Sequence, residues 1–334
     1  MPTIVSYLHA YVPTHNAGAE TTMHDILKHL VSKGWEAHVV IKPEKVNLTT
    51  GKSISELSEY WIDGVHVIPA TDKRTLLHYI PKADVTISHL ECSQRTHILS
   101  KAYSIPSVHL VHNTHPLTVQ WLASSDALII NTDWIANEPG FKDSGKPFMV
   151  VHPPVNPEQY KTKHGKKVTL VNLWEDKGSK VFYELARRLP DVEFLGVKGG
   201  YGEQVIEDLP NVTIMEHTPN TEDFYSQTKI LLMPSKYESF GRVGVEAMSS
   251  GIPVIAEPTP GLLESLGESG TFVDRTDIDA WETALRDALK PAKYGKLSKQ
   301  ALAQSNALQA ISEGQMEFLE TFMNELIRTK KVGR

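Results

Sequence analysis

Two glutamates eight positions apart, Glu238 and Glu246, stand in the stretch Pro234-Ser235-Lys236-Tyr237-Glu238-Ser239-Phe240-Gly241-Arg242-Val243-Gly244-Val245-Glu246-Ala247-Met248. An apolar run, Ile230–Met233, precedes it and reads as a strand; a helix is predicted to open near Arg242. Where the carboxyl end of a strand runs into a glycine-containing helix start, α/β folds bind phosphorylated ligands. The unpaired N–H groups and the helix dipole favour an anion there, and Gly241 lets the backbone come close because it has no Cβ. Glu246 lies about one turn into the helix, between Val245 and Ala247. A carboxylate in such surroundings is costly unless it accepts good hydrogen bonds. Paired ribose hydroxyls would donate two, and Glu238 is placed to meet the group beyond a diphosphate. Taken alone, the residues leave open that both carboxylates are solvated, or that Glu246 pairs with a neighbouring Lys or Arg.

Positioning such groups needs an α/β frame, and the pattern supplies one. Strands are predicted at Thr3–Leu8, Ala37–Ile41, Val65–Ile68, Val85–Ser88, Val108–Val111 and Ala127–Asn131. Between the first two, Met23, Ile26, Leu27, Leu30 and Val31 mark one face of a helix that Gly34 ends. The alternation restarts with a strand at Val168–Leu173 and a helix face of Phe182, Leu185, Ala186 and Leu189. Further strands fall near Val192–Leu195, Val212–Met215, Ile230–Met233 and Pro253–Ala256. Alternation of this kind implies parallel sheets covered on both faces. His152-Pro153-Pro154-Val155-Asn156-Pro157 and the Lys-rich stretch that follows suit a connection between domains. Two doubly wound Rossmann-like domains facing a cleft are expected, at 1–157 and 158–310. Leu319, Phe322, Met323, Leu326 and Ile327 line a terminal helix within 311–334, expected to return to the first domain.

The chain has 334 residues and a net charge of −6, with 34 Lys+Arg against 40 Asp+Glu. Neither half is basic, so no extended nucleic-acid surface is expected. One cysteine, Cys92, excludes an internal disulfide and fits a reducing compartment. Met1–Tyr7 has no signal-peptide character, and no apolar run approaches a bilayer's thickness. A cytoplasmic protein is expected. Thr71–Lys82 mixes Lys73, Arg74 and Lys82 with Leu76, Leu77, Tyr79 and Ile80, which suits either an ordinary amphipathic helix or a peripheral membrane contact. Arg328, Lys330, Lys331 and Arg334 form a basic tail, read as solvated.

The Glu238–Glu246 stretch resembles the E-x7-E signature of the family 4 retaining glycosyltransferases, which have the GT-B fold. The likeness continues through Ser249-Ser250-Gly251-Ile252-Pro253-Val254-Ile255-Ala256, and upstream through Thr221–Pro234 and Lys177-Gly178. It implies that Glu246 binds the donor ribose and Glu238 the transferred sugar. The Phe240 and Gly241 amides would hold the sugar–phosphate region, with Ser239 and Arg242 beside them. Lys177 would meet the diphosphate as a point charge, although a solvated lysine in a first helical turn is the commoner fate. The family usually has an arginine five residues before this lysine, where this chain has Asn172; the phosphate charge would then fall on Lys177, Arg242 and helix dipoles. An outward-facing Arg242 is the other reading. Asn16-Ala17-Gly18-Ala19-Glu20 resembles the family's glycine-rich loop, with Ala17 in place of one glycine and Gly18 still able to offer its amide to a phosphate. His112, ending a strand, resembles the family's active-site histidine; otherwise it is a hydrogen-bonded core histidine.

Three other patterns are set aside. His109, His112 and His115 suggest a metal set, but residues three apart on a strand face opposite ways, and no carboxylate or cysteine is spaced to complete it. Asp277-Ile278-Asp279 resembles a metal-holding D-x-D, yet Thr276 to Asp279 has the spacing of a helix cap. Gly196–Gly202 is too irregular for a dinucleotide fingerprint. The expected function is retaining, metal-independent transfer of a glycosyl group from a UDP- or GDP-linked sugar, without cofactor. The acceptor stays open among glycan, lipid, metabolite, protein and modified nucleobase, as does the oligomeric state. A nucleotide-sugar epimerase of the same fold and a non-catalytic nucleotide-sugar-binding protein are the rival readings.

Overall fold

The computed structural model describes residues 1–15, 17–42, 58–70, 72, 74–200 and 202–332. Asn16, Thr71, Lys73, Tyr201 and Arg334 lie outside the described residues, as does the side chain of Lys331. The chain divides into two compact units, one of Met1–Pro154 with Ser312–Arg334 and one of Val155–Ile311.

The first unit holds an eight-stranded sheet built from β1 (Thr3–Leu8), β2 (Glu36–Ile41), β3 (Tyr60–Ile62), β4 (Val65–Pro69), β5 (Val85–Ser88), β6 (Ser107–Val111), β7 (Ala127–Ile130) and β8 (Phe148–Val150). Their spatial order is β3-β4-β2-β1-β5-β6-β7-β8. All neighbours run parallel except β3, which pairs antiparallel with β4 at the edge. The chain winds outward from β1 through β2 to β4, then returns across β1 to β5. Strand order therefore reverses between β1 and β5, which opens a crevice at their carboxyl ends. The face of the Gly18–Ser32 helix formed by Met23, Ile26, Leu27 and Leu30 is wholly buried against this sheet.

The second unit has β9 (Lys167–Val171), β10 (Phe194–Val197), β11 (Val212–Met215), β12 (Thr228–Met233), β13 (Val254–Ala256) and β14 (Thr271–Phe272). Their order is β11-β10-β9-β12-β13-β14, all parallel. Here the reversal lies between β9 and β12. Phe182, Leu185, Ala186 and Leu189 are buried in its core with Trp281 and Leu285.

Two expectations shift. The terminal helix is one continuous run from Pro291 to Val332 and starts well before residue 311. Leu297, Ala301 and Leu308 join the second unit's cores, while Met316, Leu319, Met323 and Ile327 join the first unit's. At Ile278–Leu289 the N-cap is Asp277, whose carboxylate accepts from the Ala280 N–H at 2.9 Å, rather than Thr276. Asp279 instead meets Arg188. Of the Thr71–Lys82 stretch, Thr75–Tyr79 forms a short helix and Ile80–Lys82 a 3-10 turn, with Leu76 and Ile80 buried. Among the described residues no helix is long and apolar enough to cross a membrane.

Candidate functional site

The reversal between β9 and β12 brings together two loops far apart in sequence, 172–178 and 234–241. The Lys236 N–H donates to the Asp176 carbonyl at 2.8 Å, joining them. Gly178 permits this approach: at φ 96° it occupies the left-handed region, and a Cβ there would fall 2.2 Å from Pro234 Cγ. Across the junction Lys177 Nζ donates to Glu238 Oε1 at 2.5 Å, and Ser235 Oγ donates to the same oxygen at 3.0 Å. Both charged side chains are mostly but not wholly covered. Lys177 closes a 3-10 turn, and the helix proper starts at Ser179.

The Arg242–Met248 helix is capped by Gly241 at φ 81°. A Cβ at Gly241 would stand 2.4 Å from Leu262 Cδ2. Phe240 is a core residue by its side chain, so only its backbone is available to a ligand. Beneath the loop, a Cβ on Gly261 would meet the Glu238 and Ser239 carbonyl oxygens at 2.3 Å, so the Pro260–Leu266 helix supports the loop at close contact.

Glu246 is buried, and the protein supplies it with donors. Arg242 Nε donates to Oε1 at 2.9 Å and the Tyr225 hydroxyl donates to Oε2 at 3.0 Å. Arg242 Nη2 also donates to the Tyr160 hydroxyl at 3.2 Å. Burial pushes the Glu246 carboxyl up, and the Arg242 charge and these hydrogen bonds oppose that shift. The pairing of Glu246 with a neighbouring cation, one of the two open readings, is therefore present. Burial by itself does not require ribose hydroxyls. Arg242 does not face outward: its bonds to Glu246 and Tyr160 are directed at the carboxylate site.

Asn172 has a structural explanation. It directly follows β9 at φ 71°, a conformation that asparagine tolerates better than arginine. Its Oδ1 accepts from the Trp174 N–H at 3.1 Å and from Gln204 Nε2 at 2.8 Å. Its side chain fills the space over Gly199, where a Cβ would lie 2.2 Å from Asn172 Cγ. Asn172→Arg should therefore lower stability by about 1–3 kcal/mol, through the strained φ and the lost buried hydrogen bonds. Donor affinity should not rise. Urea unfolding and donor titration of the variant check both parts.

In the first unit, His112 directly follows β6 and is buried, with its Nε2 lacking a hydrogen-bond partner among the described residues. Burial holds its pKa down at about 3, so the ring is neutral. Gly18 opens its helix after the cap residue Ala17, and nothing lies within 4 Å of where its Cβ would be. His109 bonds Ser93 Oγ at 2.8 Å and His115 is exposed, so the histidine string gathers no metal set. Basic-tail residue Lys330 is not merely solvated, since it donates to Asp126 at 2.6 Å.

Tyr225, Tyr160 and Ser235 complete the surroundings of the two glutamates and were not expected from the sequence. Tyrosines carry no spacing signal of their own, and these reach Glu246 only through the fold. His9 and His89, neither of them expected from the sequence, cluster at the first unit's crevice with Glu20, which the sequence offered only as the end of the glycine-rich loop. The strand-end criterion that marked His112 marks His9 and His89 equally.

Residues 168–291 match the model of the family Glycosyl transferases group 1. The D-inositol 3-phosphate glycosyltransferase of Paenarthrobacter aurescens (strain TC1) is 30% identical over 130 residues, covering 33% of this chain and 32% of that protein. The chain thus matches across about a third of that relative's length. Sucrose-phosphate synthase from Thermosynechococcus elongatus superposes with a TM-score of 0.74 at 15% identity, covering 99% of this chain and 100% of that one. Anabaena HepE, solved in complex with UDP-glucose, gives 0.69 at 16% identity, over 98% and 99% of the two chains. At these identities the likeness is one of fold, and the fold is GT-B with two Rossmann-like parallel-sheet domains.

Proposed function

We propose that the chain is a retaining glycosyltransferase that takes its sugar from a UDP- or GDP-linked donor without a metal at the diphosphate. One observation carries this reading: at the β9/β12 reversal, two carboxylates and two cations are paired beside a glycine-capped helix start, within the segment that matches Glycosyl transferases group 1. Each pair is a charge-balanced resting arrangement. On donor binding, the ribose hydroxyls replace Arg242 on Glu246, and the sugar hydroxyls replace Lys177 on Glu238. The released cations turn to the diphosphate, joined by the Gly241 helix start and the Ser239, Phe240 and Gly241 amides. His112 and Gly18 take their sugar and phosphate roles from the resemblance alone.

In the transfer step the bond between the anomeric carbon and the diphosphate oxygen breaks, and negative charge develops on that oxygen. Preorganised cations and amide dipoles there lower the barrier most. An acceptor hydroxyl attacks the same face, and its proton passes to the departing phosphate oxygen, so anomeric configuration is kept. The test is a panel of labelled UDP- and GDP-sugars with candidate acceptors under excess chelator, with product configuration read by NMR. Chelator-insensitive transfer with retention is expected. Inversion, a metal requirement, or an epimerised sugar formed without acceptor would each displace the proposal.

A further inference from the structure

The crevice between β1 and β5 holds three metal-ligating side chains. Tyr7 and Ser88 are register partners on these adjacent strands, and Ser88 Oγ donates to the Tyr7 carbonyl at 2.7 Å. The chain leaves the two strands side by side, placing His9 and His89 at neighbouring strand ends. Glu20 comes from the first turn of the Gly18–Ser32 helix, which follows β1. One ligand atom from each of the three lies within 4.8 Å of the others. His9 Nε2 stands 3.4 Å from Glu20 Oε1.

The hydrogen bonding of the trio is incomplete. Both ring nitrogens of the fully buried His89, Nδ1 of His9 and Oε2 of the buried Glu20 lack a hydrogen-bond partner among the described residues. Buried polar atoms are ordinarily satisfied; the Glu20 oxygens face His9 Nε2 at 3.4 Å and His15 Nε2 at 3.9 Å, and a buried carboxylate with an oxygen left without a hydrogen bond is costly. A divalent cation would answer both deficits. Zinc–nitrogen and zinc–oxygen bonds of about 2.0–2.2 Å put tetrahedral ligands roughly 3.3–3.6 Å apart, so ligand atoms within 4.8 Å of one another need converge by at most about 1.5 Å. His9 is partly exposed and gives access from solvent.

We infer that His9, Glu20 and His89 form a binding site for one zinc-class divalent cation, of the two-histidine, one-carboxylate type with an open fourth position. The imidazole and carboxylate set suits zinc among the common cations and excludes a calcium- or magnesium-type all-oxygen site. The inference goes beyond the paired carboxylates and cations of the second unit; the site adjoins His112, whose ring packs edge-on to His89 with centroids 5.0 Å apart, and its readout is metal binding rather than transfer.

The full chain, stripped with chelator and dialysed, is titrated with zinc chloride by calorimetry, and with cobalt(II) for the visible absorption of a tetrahedral site. One equivalent per chain is expected. His9→Gln and His89→Gln should each weaken binding by more than the roughly 10–100-fold that the loss of an outer-shell partner costs. His115→Gln, on the exposed histidine, should leave affinity unchanged. Circular dichroism confirms folding, and His9→Gln, at a partly exposed position, keeps the test informative if His89→Gln unfolds. No binding, or binding that survives His9→Gln at full affinity, overturns the assignment.

Discussion

Glu246→Gln is expected to weaken nucleotide-sugar binding by about 10–150-fold. The estimate takes a charge-assisted hydrogen-bond contribution of about 1.5–3 kcal/mol, lost when the carboxylate becomes an amide. The variant keeps the side chain's shape and an oxygen to accept from Tyr225. It leaves Arg242, whose side chain is only 10% exposed, without its counter-charge. Some loss of stability is therefore expected as well, because breaking one side of a buried pair costs more than the pair contributes. Folding and binding are separable through Tyr225→Phe, which removes a hydrogen bond to Glu246 without touching a group assigned to the donor. That variant should lose stability while Glu246 remains to meet the ribose, so its donor affinity should fall less. Calorimetric titration of both variants, with thermal unfolding in parallel, distinguishes the two roles. Equal loss of affinity in proportion to stability would reduce Glu246 to a structural residue.

Lys177→Ala is expected to lower kcat by about 10²–10³, the usual cost of removing one preorganised group aimed at developing charge. Its 2.5 Å contact with Glu238 is one half of a partly covered pair, with side chains 17% and 15% exposed. Solvent can reach the charge left behind, so the fold should survive. If the lysine acts on the diphosphate as charge develops, kcat falls and donor KM moves little. If it only holds Glu238 in place, the double variant will lose no more than Glu238→Gln alone. A double-mutant cycle on kcat/KM reads that coupling directly. Unchanged turnover in Lys177→Ala would remove it from the transfer chemistry.

Much of the frame was legible because long parallel strands are near-continuous apolar runs with amphipathic helices between them. Thr3–Leu8, Val85–Ser88 and Val212–Met215 appear with the predicted bounds. Tyr60–Ile62, Phe148–Val150 and Thr271–Phe272 were not read, since two or three residues at a sheet edge display no period. The early part of the Pro291–Val332 helix was missed because Lys293, Lys296, Lys299 and Gln300 interrupt any clear apolar stripe. Within the site, the Arg242–Glu246 pair has the i,i+4 spacing of a helix and was visible as an alternative. The Lys177–Glu238 contact was not, because it depends on β9 and β12 being neighbours in the sheet, 61 residues apart in the chain. Asn172 read as a gap in the phosphate site, whereas its positive φ and its bonds to Trp174 and Gln204 make it part of the loop's framework. Strand order decides these juxtapositions, and no local pattern encodes it.

The Glu238–Glu246 segment is expected to receive a nucleotide-sugar. Backbone amide NMR of the isotopically labelled chain, titrated with UDP-glucose and with GDP-mannose, tests it at the atoms concerned. Saturable shifts at the Ser239, Phe240, Gly241 and Arg242 amides and around Lys177 are expected with at least one donor, and should be lost in Glu246→Gln. Saturable shifts that leave this segment unmoved, or that persist in Glu246→Gln at the same affinity, would contradict the claim.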